Sequence, residues 1–260
     1  MKKSIYLILL AIVQLVAATS CSNDDERYIY VKPADVNRNV LIEDFTGQRC
    51  LNCPNASAQI DSLTAQYGHD AIIAVSIHSG PLGFKGNAKF TGLATDLGDT
   101  YYNHWNCDHQ PIGLVNRLGG LQDYPAWPAL VRQALSQKST IEMEATVNYN
   151  DTTREAAIKV NLLGTSGTTK GTLQLWVIED SITAMQVMPD GKAKADYVHQ
   201  HVLRAAVNGE WGQNVVINEG AMSTIDARYY IDSAWDPRHL WIVAFVYNND
   251  GVTQVIKSHF

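Results

Sequence analysis

The sequence predicts an α/β domain followed by an all-β domain, with the boundary near residue 139. Two strand-like apolar runs, Val40–Phe45 and Ala71–His78, flank a helix-like segment that ends near Gly68. Continuous apolar runs on both sides of a helix are typical of buried parallel strands in a βαβ unit. After residue 139, short alternating runs separated by turn residues replace this pattern and indicate an antiparallel β-sandwich.

Several further elements are predicted within these two parts. In the first part we expect a helix over residues 88–97, a strand over Pro111–Arg117 and a closing helix over about 126–136. In the second part Val198–Ala206 has the composition of one continuous strand. Asn249-Asp250-Gly251 is a strong hairpin signal between the last two strands.

Residues 1–20 are predicted to be a secretory signal peptide. Lys2 and Lys3 begin the chain, an apolar stretch from Ile5 to Ala18 follows, and small residues lead to Cys21. A charged start, a short apolar core and a small-residue end are typical of a cleaved export signal. Because a membrane-spanning helix needs ~20 apolar residues, an uncleaved anchor helix is the less favoured alternative.

Cys21 is predicted to be the lipid-bearing first residue of the mature protein. A cysteine directly after small residues resembles a lipobox, in the relaxed form of Bacteroidetes lipoproteins. Lipid chains on this residue would anchor the protein in the outer membrane. Ser22–Glu26, within an acidic tether over residues 21–39, resembles the export signal that directs such lipoproteins to the cell surface. The alternative is a solvated tether that leaves the protein facing the periplasm.

The charge of the chain argues against a nucleic-acid partner. The sequence carries 20 Lys and Arg residues against 26 Asp and Glu residues, a net charge of −6 at pH 7. The predicted signal peptide contains two of the lysines, so the mature protein is more acidic still. Nucleic-acid-binding surfaces need clustered Lys and Arg to neutralise phosphates. No P-loop or G-x-G-x-x-G motif stands out, and no cofactor is expected.

The motif Cys50-Leu51-Asn52-Cys53 carries the most chemistry in this sequence. It follows a predicted strand and opens a predicted helix, whose unpaired N–H groups and partial positive charge lower the pKa of a cysteine placed there. Arg49 would act in the same direction. Cys50 is therefore the predicted attacking thiol, and Cys53 is the thiol that resolves a mixed disulfide.

A C-x-x-C motif can also begin a zinc site, which needs additional ligands. The nearest candidates are His78, His104, Cys107 and His109, and their spacing does not repeat the usual paired pattern. The redox pair is therefore favoured, and no metal is expected. Cys107 is either a third redox thiol or, as is commoner for such a residue, a buried spare thiol.

The order of these elements resembles the thioredoxin fold. A strand, the C-x-x-C helix, the strand Ala71–His78 and then Pro111 before a further strand follow one another as they do in that fold. Thioredoxins have a cis-proline that faces the C-x-x-C motif and helps to bind extended peptide, so the resemblance implies this role for Pro111. A trans proline at the start of a strand is the alternative.

A closer resemblance covers most of the mature chain. The segment Phe45–Pro54, with Pro111–Arg117 and His201–Arg204, resembles Bacteroidetes outer-membrane lipoproteins named for a twenty-eight-kilodalton surface antigen. This resemblance implies a thioredoxin-like domain plus a β-domain at the outer membrane. With the strand pattern, it predicts an α/β thioredoxin-like domain (residues 40–139) followed by an all-β immunoglobulin-like sandwich domain (residues 140–260).

Two functions remain open. The first is a thiol-disulfide oxidoreductase for exported proteins or peptides, in which Cys50 attacks, Cys53 resolves and Pro111 helps to hold the substrate backbone. The second is a surface binding or adhesion protein, in which the thioredoxin-like domain is a scaffold and the cysteine pair is a fixed disulfide. Arg49 stands where thioredoxins usually have Trp, and Leu51-Asn52 stands where they usually have Gly-Pro, so the motif alone does not decide.

Overall fold

The computed structural model describes residues 31–260. The predicted signal peptide, Cys21 and the first part of the predicted tether therefore lie outside the described residues. Within residues 31–260, no helix combines the length and the apolar character that a membrane crossing requires.

The part of the chain up to residue 139 mixes helices and strands. Its elements are β1 (Val36–Asn37), β2 (Val40–Thr46), α1 (Cys53–Tyr67), β3 (Ile72–His78), α2 (Asp96–His104), β4 (Ile112–Val115), a 3-10 turn (Tyr124–Ala126), α3 (Trp127–Leu135) and β5 (Lys138–Ser139).

The part from residue 140 onward is almost entirely strand. Its elements are β6 (Ile141–Asn150), β7 (Glu155–Gly164), β8 (Thr168–Glu179), β9 (Ile182–Val187), β10 (Ala193–His199), β11 (Val202–Ala206), β12 (Gln213–Asn218), β13 (Met222–Tyr230), a 3-10 turn (Pro237–His239), β14 (Leu240–Asn248) and β15 (Gly251–His259).

Helix α1 follows the local pattern of its sequence. Pro54 lies in the first turn, where its missing N–H would have no helical partner anyway. Ala56, Ile60 and Leu63 are buried and recur at helical spacing, so they form one apolar face. Gly68 ends the helix with a φ of 98°, a conformation that glycine adopts without steric cost.

One eight-stranded sheet forms the centre of the molecule, in the order β15-β14-β8-β11-β3-β2-β4, with β12 also paired to β8. β2 and β3 are parallel along their whole length, and β4 is antiparallel to β2. β11 lies parallel to β3 on its other side through the pair Val202 and Ser76, and β8 continues the sheet antiparallel to β11. Strands from both predicted domains thus belong to the same sheet.

The structure therefore differs from the predicted pair of separate domains. Residues 32–260 form one compact unit, and residue 139 marks a change from mixed α/β to largely β structure within it. The strands after residue 139 do stack in two layers, because the three-stranded sheet β13-β7-β6 shares an apolar cluster with β8, β12 and β14. One of these layers is the central sheet itself, so a free-standing immunoglobulin-like sandwich is not what forms.

A single apolar core also crosses residue 139. Leu41 and Phe45 of β2 belong to the same buried cluster as Trp176 of β8 and Phe245 of β14. On the other side of β2, Ile42 packs beneath α1 and α3. Side chains alternate between the two faces of a strand, so β2 contributes to both cores.

The central sheet curls until its last strand meets the loop after β4. Val252 N of β15 donates to Asn116 O at 2.8 Å, and Asn39 N donates to Gln254 Oε1 at 2.9 Å. The first bond connects the two ends of the sheet, because β15 and β4 are its outermost strands, and the second ties β15 to the residue before β2. The core that contains Leu41 is consequently enclosed by both parts of the chain.

A buried ion pair lies within this enclosed core. Two of the three guanidinium nitrogens of Arg117, Nε and Nη2, donate to the carboxylate of Glu43, each at 2.8 Å. The side chains of Arg117 and Glu43 are only 7% and 1% exposed. Burial alone would lower the pKa of Arg117, but the charge and hydrogen bonds of Glu43 outweigh it and raise that pKa. The guanidinium also lies over the rings of Tyr247 and Phe245, at 4.3 and 5.1 Å from their centroids.

Two predictions of secondary structure were wrong. The helix expected over residues 88–97 is instead α2, which begins at Asp96 after the N-cap Thr95. The segment before it is a tight loop, in which a Cβ at Gly92 would lie 2.0 Å from Gly86 N, and Leu93 is buried there through contacts distant in sequence. The strand expected over 198–206 is divided between β10 and β11, because His201 adopts a φ of 58°. The predicted hairpin around Asn249-Asp250-Gly251 is confirmed between β14 and β15.

We expect Glu43→Gln to lower the free energy of unfolding by roughly 3–5 kcal/mol, because it leaves the Arg117 cation buried without a counter-charge. Urea denaturation monitored by tryptophan fluorescence measures this change. Glu142→Gln, at an exposed position of β6, is the matched control and should change stability by less than about 0.5 kcal/mol. Equal stability of the two variants would contradict the structural role of the pair.

Candidate functional site

The Cys50–Cys53 pair lies between the end of β2 and the first turn of α1, and the two cysteines form a disulfide. The helix begins at Cys53, three residues later than the motif predicted. Cys53 N donates to Cys50 Sγ at 3.1 Å, so one of the helix N-terminal N–H groups that lack helical partners points at the first sulfur. When the pair is reduced, the same N–H would stabilise a thiolate on Cys50.

Both sulfur-bearing residues are buried. Cys50 is 1% exposed and Cys53 is 2% exposed, whereas Leu51 between them is 48% exposed. A reactive thiol normally needs solvent access. The segments that cover this turn therefore separate the pair from solvent.

The loop between β3 and α2 covers one side of the turn. Arg49 N donates to Leu82 O at 3.0 Å. Gly47 approaches the same residue so closely that a Cβ at position 47 would lie 2.3 Å from Leu82 O. Only glycine permits this contact at position 47. The guanidinium of Arg49 lies 4.9 Å from the ring centroid of Phe84, in the same loop.

The β9–β10 hairpin covers another side of the turn. Gln186 Nε2 donates to Cys50 O at 2.9 Å and to Gly47 O at 3.3 Å. Val187 N donates to Gln48 O at 2.8 Å, and the side chain of Gln48 donates back to Met185 O at 2.9 Å. Backbone groups of the cysteine turn that would otherwise be free are thus satisfied by a segment far along the chain.

Pro111 stands immediately before β4, and the Gln110–Pro111 peptide bond is cis, as the resemblance to thioredoxins implied. Gln110 Nε2 donates to Thr46 O at 2.6 Å and to Ser79 O at 3.0 Å. These bonds fix the proline beside the ends of β2 and β3, which are the strands that lead to the cysteine turn and to its covering loop. The peptide-binding role of Pro111 stays a prediction.

A small polar cavity of about 50 Å³ opens beside the start of α1. Cys53 and Ser57 of α1 line one wall, His78 of β3 lies on another, and Tyr197 and His199 of β10 complete it. The two histidine rings contact each other edge to face, with centroids 5.2 Å apart. The sequence did not predict that His78 and His199 would meet, because they belong to distant strands.

His78 and His199 of this cavity are neutral at pH 7. Burial lowers the pKa of His78 well below its usual value, and neighbouring His199 and Arg204 lower it further. Burial also lowers the pKa of His199, to about 4, although hydrogen bonds with backbone groups at residues 184 and 185 act in the opposite direction. Among residues 31–260, His78 Nδ1 and His199 Nε2 are buried without a hydrogen-bond partner.

Asp44 is a further unusual group at this site. It lies two residues after Ile42 in β2. Because side chains two residues apart point to the same face of a strand, Asp44 lies on the face that α1 covers. It is fully buried, and within the described residues neither carboxyl oxygen has a hydrogen-bond partner. Burial raises the pKa of Asp44 to about 8, so the carboxyl is mostly protonated at pH 7.

The described residues offer no assembled metal site. Within residues 31–260, no group of three or more His, Cys, Asp or Glu side chains is placed to hold an ion. His109 instead lies between Asp108 and Asp123, at 2.6 and 2.8 Å from their carboxylates. Cys107 is buried and, among the described cysteines, is the free one. Burial, with a smaller contribution from Asp108, raises the pKa of its thiol to about 12, which makes it a poor nucleophile.

Residues 98–260, more than half of the chain, match the family model described as outer membrane protein Omp28. The chain belongs to the Omp28 family. The protein is therefore an outer membrane protein, in agreement with the resemblance found in the sequence. The matched residues include Pro111 and His201–Arg204 but not Cys50 and Cys53, so the family match does not itself cover the disulfide.

Solved structures extend the comparison to the fold. HBP35 of Porphyromonas gingivalis matches with a TM-score of 0.66 at 13% identity, over 88% of this chain and 77% of that chain. At this identity the likeness concerns the fold alone. A domain of the outer membrane lipoprotein Omp28 from Porphyromonas gingivalis matches over 47% of this chain and 96% of that chain, at 25% identity and a TM-score of 0.35. No curated protein matches the sequence.

The sequence pattern did not single out Asp44 or Gln186. Asp44 had a local signal, since it is a carboxylate at an inward-facing position of an otherwise apolar strand. Gln186 had none, because it is 136 residues from Cys50 in the chain and its role depends on how β8 and β11 join the sheet.

We expect Asp44→Asn to change how stability depends on pH. The pKa of Asp44 is raised in the folded protein, so the wild type loses stability as the pH rises from about 4, the ordinary value, to about 8. The asparagine variant lacks this loss. The difference in unfolding free energy between the two proteins should therefore change by a few kcal/mol over this range, in favour of the variant at high pH.

Urea denaturation at pH 4, 6 and 8 tests this expectation. Asp226→Asn, at an exposed position of β13, is the control and should leave the pH dependence unchanged. A difference between wild type and Asp44→Asn that stays constant from pH 4 to pH 8 would refute the raised pKa.

Proposed function

We propose that this outer membrane protein is a thiol-disulfide oxidoreductase with a thioredoxin-like site, acting on exported proteins or peptides. The observation that carries the proposal is the placement of Cys50 and Cys53 between a central parallel strand and a helix N-terminus, with Cys53 N–H directed at Cys50 Sγ. The position of Pro111 at the start of β4, fixed beside the end of β2 through Gln110, gives further support.

The exchange uses the two sulfurs in sequence. In the reduced protein the Cys50 thiolate attacks one sulfur of a substrate disulfide, forms a mixed disulfide and releases the other substrate sulfur as a thiolate. The Cys53 thiolate then attacks Cys50 Sγ and releases the second substrate thiolate. The substrate is reduced, and Cys50–Cys53 becomes the disulfide seen in the structure. A dithiol donor must reduce this disulfide before the next cycle.

Asp44 supports this chemistry as a proton acceptor. Cys53 must lose its proton to resolve the mixed disulfide, and the deprotonated form of Asp44, which is the minor form at pH 7, can take it. Asp44, with its pKa raised to about 8, lies on the face of β2 that the first turns of α1 cover. Burial raises the pKa of Tyr197, which lines the same cavity as Cys53, and the charges of Asp61 and Asp44 raise it further.

A surface binding or adhesion role is the second candidate, and the burial of both cysteines favours it. In this role the buried disulfide holds the cysteine turn against its covering segments. The thioredoxin-like part would then be a scaffold. The β-rich residues 140–260, which the sequence predicted to be immunoglobulin-like, would contact the binding partner. This candidate also keeps the predicted lipid anchor on Cys21.

The reduction potential of the Cys50–Cys53 pair separates the two candidates. Equilibration of the purified protein with glutathione and thioredoxin buffers measures it. We expect a value between about −120 and −270 mV, the range of exchange enzymes. A value below about −300 mV, or a pair that is reduced only when the protein unfolds, would mark a structural disulfide and support the binding protein.

We also expect Cys50→Ser to abolish disulfide reductase activity, with a loss of at least about 100-fold, because the variant lacks the attacking sulfur. The assay follows reduction of a disulfide-containing peptide with dithiothreitol as the electron donor. Cys107→Ala is the matched control, since it removes the other described cysteine and should retain most of the activity. Full activity of Cys50→Ser would exclude this mechanism.

A further inference from the structure

The β9–β10 hairpin and the turns at its base form an excursion from the central sheet. β8 ends at Glu179 and β11 begins at Val202, and these two residues are paired with each other. Residues 180–201 therefore leave the sheet and return to it at one point. β9 and β10 form a two-stranded sheet of their own, separate from the central sheet.

The base of this excursion is narrow and specifically bonded. Asp180 Oδ1 accepts from His201 N at 2.7 Å and lies 2.9 Å from His201 Nδ1, and Ser181 N donates to Gln200 Oε1 at 2.9 Å. Ser181 and His201 have φ values of 61° and 58°, which side-chain-bearing residues rarely adopt. The chain thus turns sharply where it leaves the sheet and where it returns, and these two turns, residues 180–181 and 200–201, form the neck of the excursion. His201 O accepts a hydrogen bond from Ser76 N of β3.

The hairpin meets the cysteine turn mainly through hydrogen bonds. The buried Gln186 side chain donates to Cys50 O, and Val187 N donates to Gln48 O. On the outer strand, Tyr197 lies beside Ser57 of α1, and the two side chains line the same cavity. Among residues 180–201, Ala184 is the one buried apolar residue, and it packs with Leu93 in a small cluster near the neck. A segment held by few apolar contacts opens at a lower free energy than the whole protein unfolds.

We propose that the β9–β10 hairpin is a cover that controls which thiols and disulfides reach the Cys50–Cys53 pair. Closed, as in this structure, it lines a cavity of about 50 Å³ beside Cys53, which is too small for a folded protein. Opening about the neck at residues 180–181 and 200–201 exposes the pair to a protein or peptide substrate. Gln186 is the positioning residue that holds the cover closed. This inference rests on the proposed exchange function.

The rate at which the disulfide is reduced in the native protein tests the cover. We expect Gln186→Ala to accelerate reduction by dithiothreitol about tenfold, since it removes the bond to Cys50 O, and to accelerate reduction by a folded dithiol protein such as thioredoxin even more. Tyr197→Phe is a milder second variant and should accelerate both reactions by a smaller factor. Gln174→Ala is the matched control, because Gln174 is an equally buried glutamine of β8 that bonds to Asn208 and Gly209.

The outcomes distinguish the cover from the exchange function. Equal rates in the wild type, Gln186→Ala and Tyr197→Phe, with all three proteins folded, would overturn the cover and leave the exchange function standing. An acceleration by Gln174→Ala as large as that by Gln186→Ala would also overturn the cover, since it would reflect general destabilisation. Reduction that occurs in every variant only with global unfolding would overturn the exchange function and the cover together.

Discussion

The packing of the buried Glu43–Arg117 ion pair against aromatic rings of β14 is the interaction on which the union of the two halves of this protein depends. Glu43 comes from β2, whereas the rings around the Arg117 guanidinium include Phe245 and Tyr247 of β14. A buried charge without its partner costs several kcal/mol, so each group is tied to the presence of the other. An apolar core would tolerate several packings of β2 against the C-terminal strands, but a bidentate carboxylate–guanidinium pair within aromatic rings accepts very few.

The same union places the covering hairpin. Because β11 pairs with β3, the point at which the chain leaves β8 and returns to β11 lies next to the strand that carries His78. From there, Gln186 of the hairpin reaches Cys50. The cysteine pair is thereby covered by the β9–β10 hairpin, which lies outside the predicted thioredoxin-like domain of residues 40–139. The Omp28 family match also lies mainly in that later part, over residues 98–260.

Local pattern was a reliable guide where local physics decides the structure. The apolar runs of β2 and β3, the proline in the first turn of α1 and the hairpin at Asn249-Asp250-Gly251 each act over a few residues, and each is found as predicted. The helix expected over 88–97 failed because Leu93 is buried through contacts with Ala184 and Val202. The spaced apolar residues of this segment belong to a loop that packs against distant strands. Hydrophobic periodicity alone does not distinguish such a loop from the buried face of a helix.

By itself the sequence determined the C-x-x-C motif, its position between a strand and a helix, and the candidate proline at 111, because these depend on residue type and short spacing. It also carried the resemblance to an outer membrane family. Only the tertiary structure decided that both parts share one sheet, that Asp44 is buried without a partner, and that Gln186 closes over Cys50. The reason is that strand pairing and desolvation arise between residues far apart in the chain, and no local spacing records which distant strand will become the neighbour.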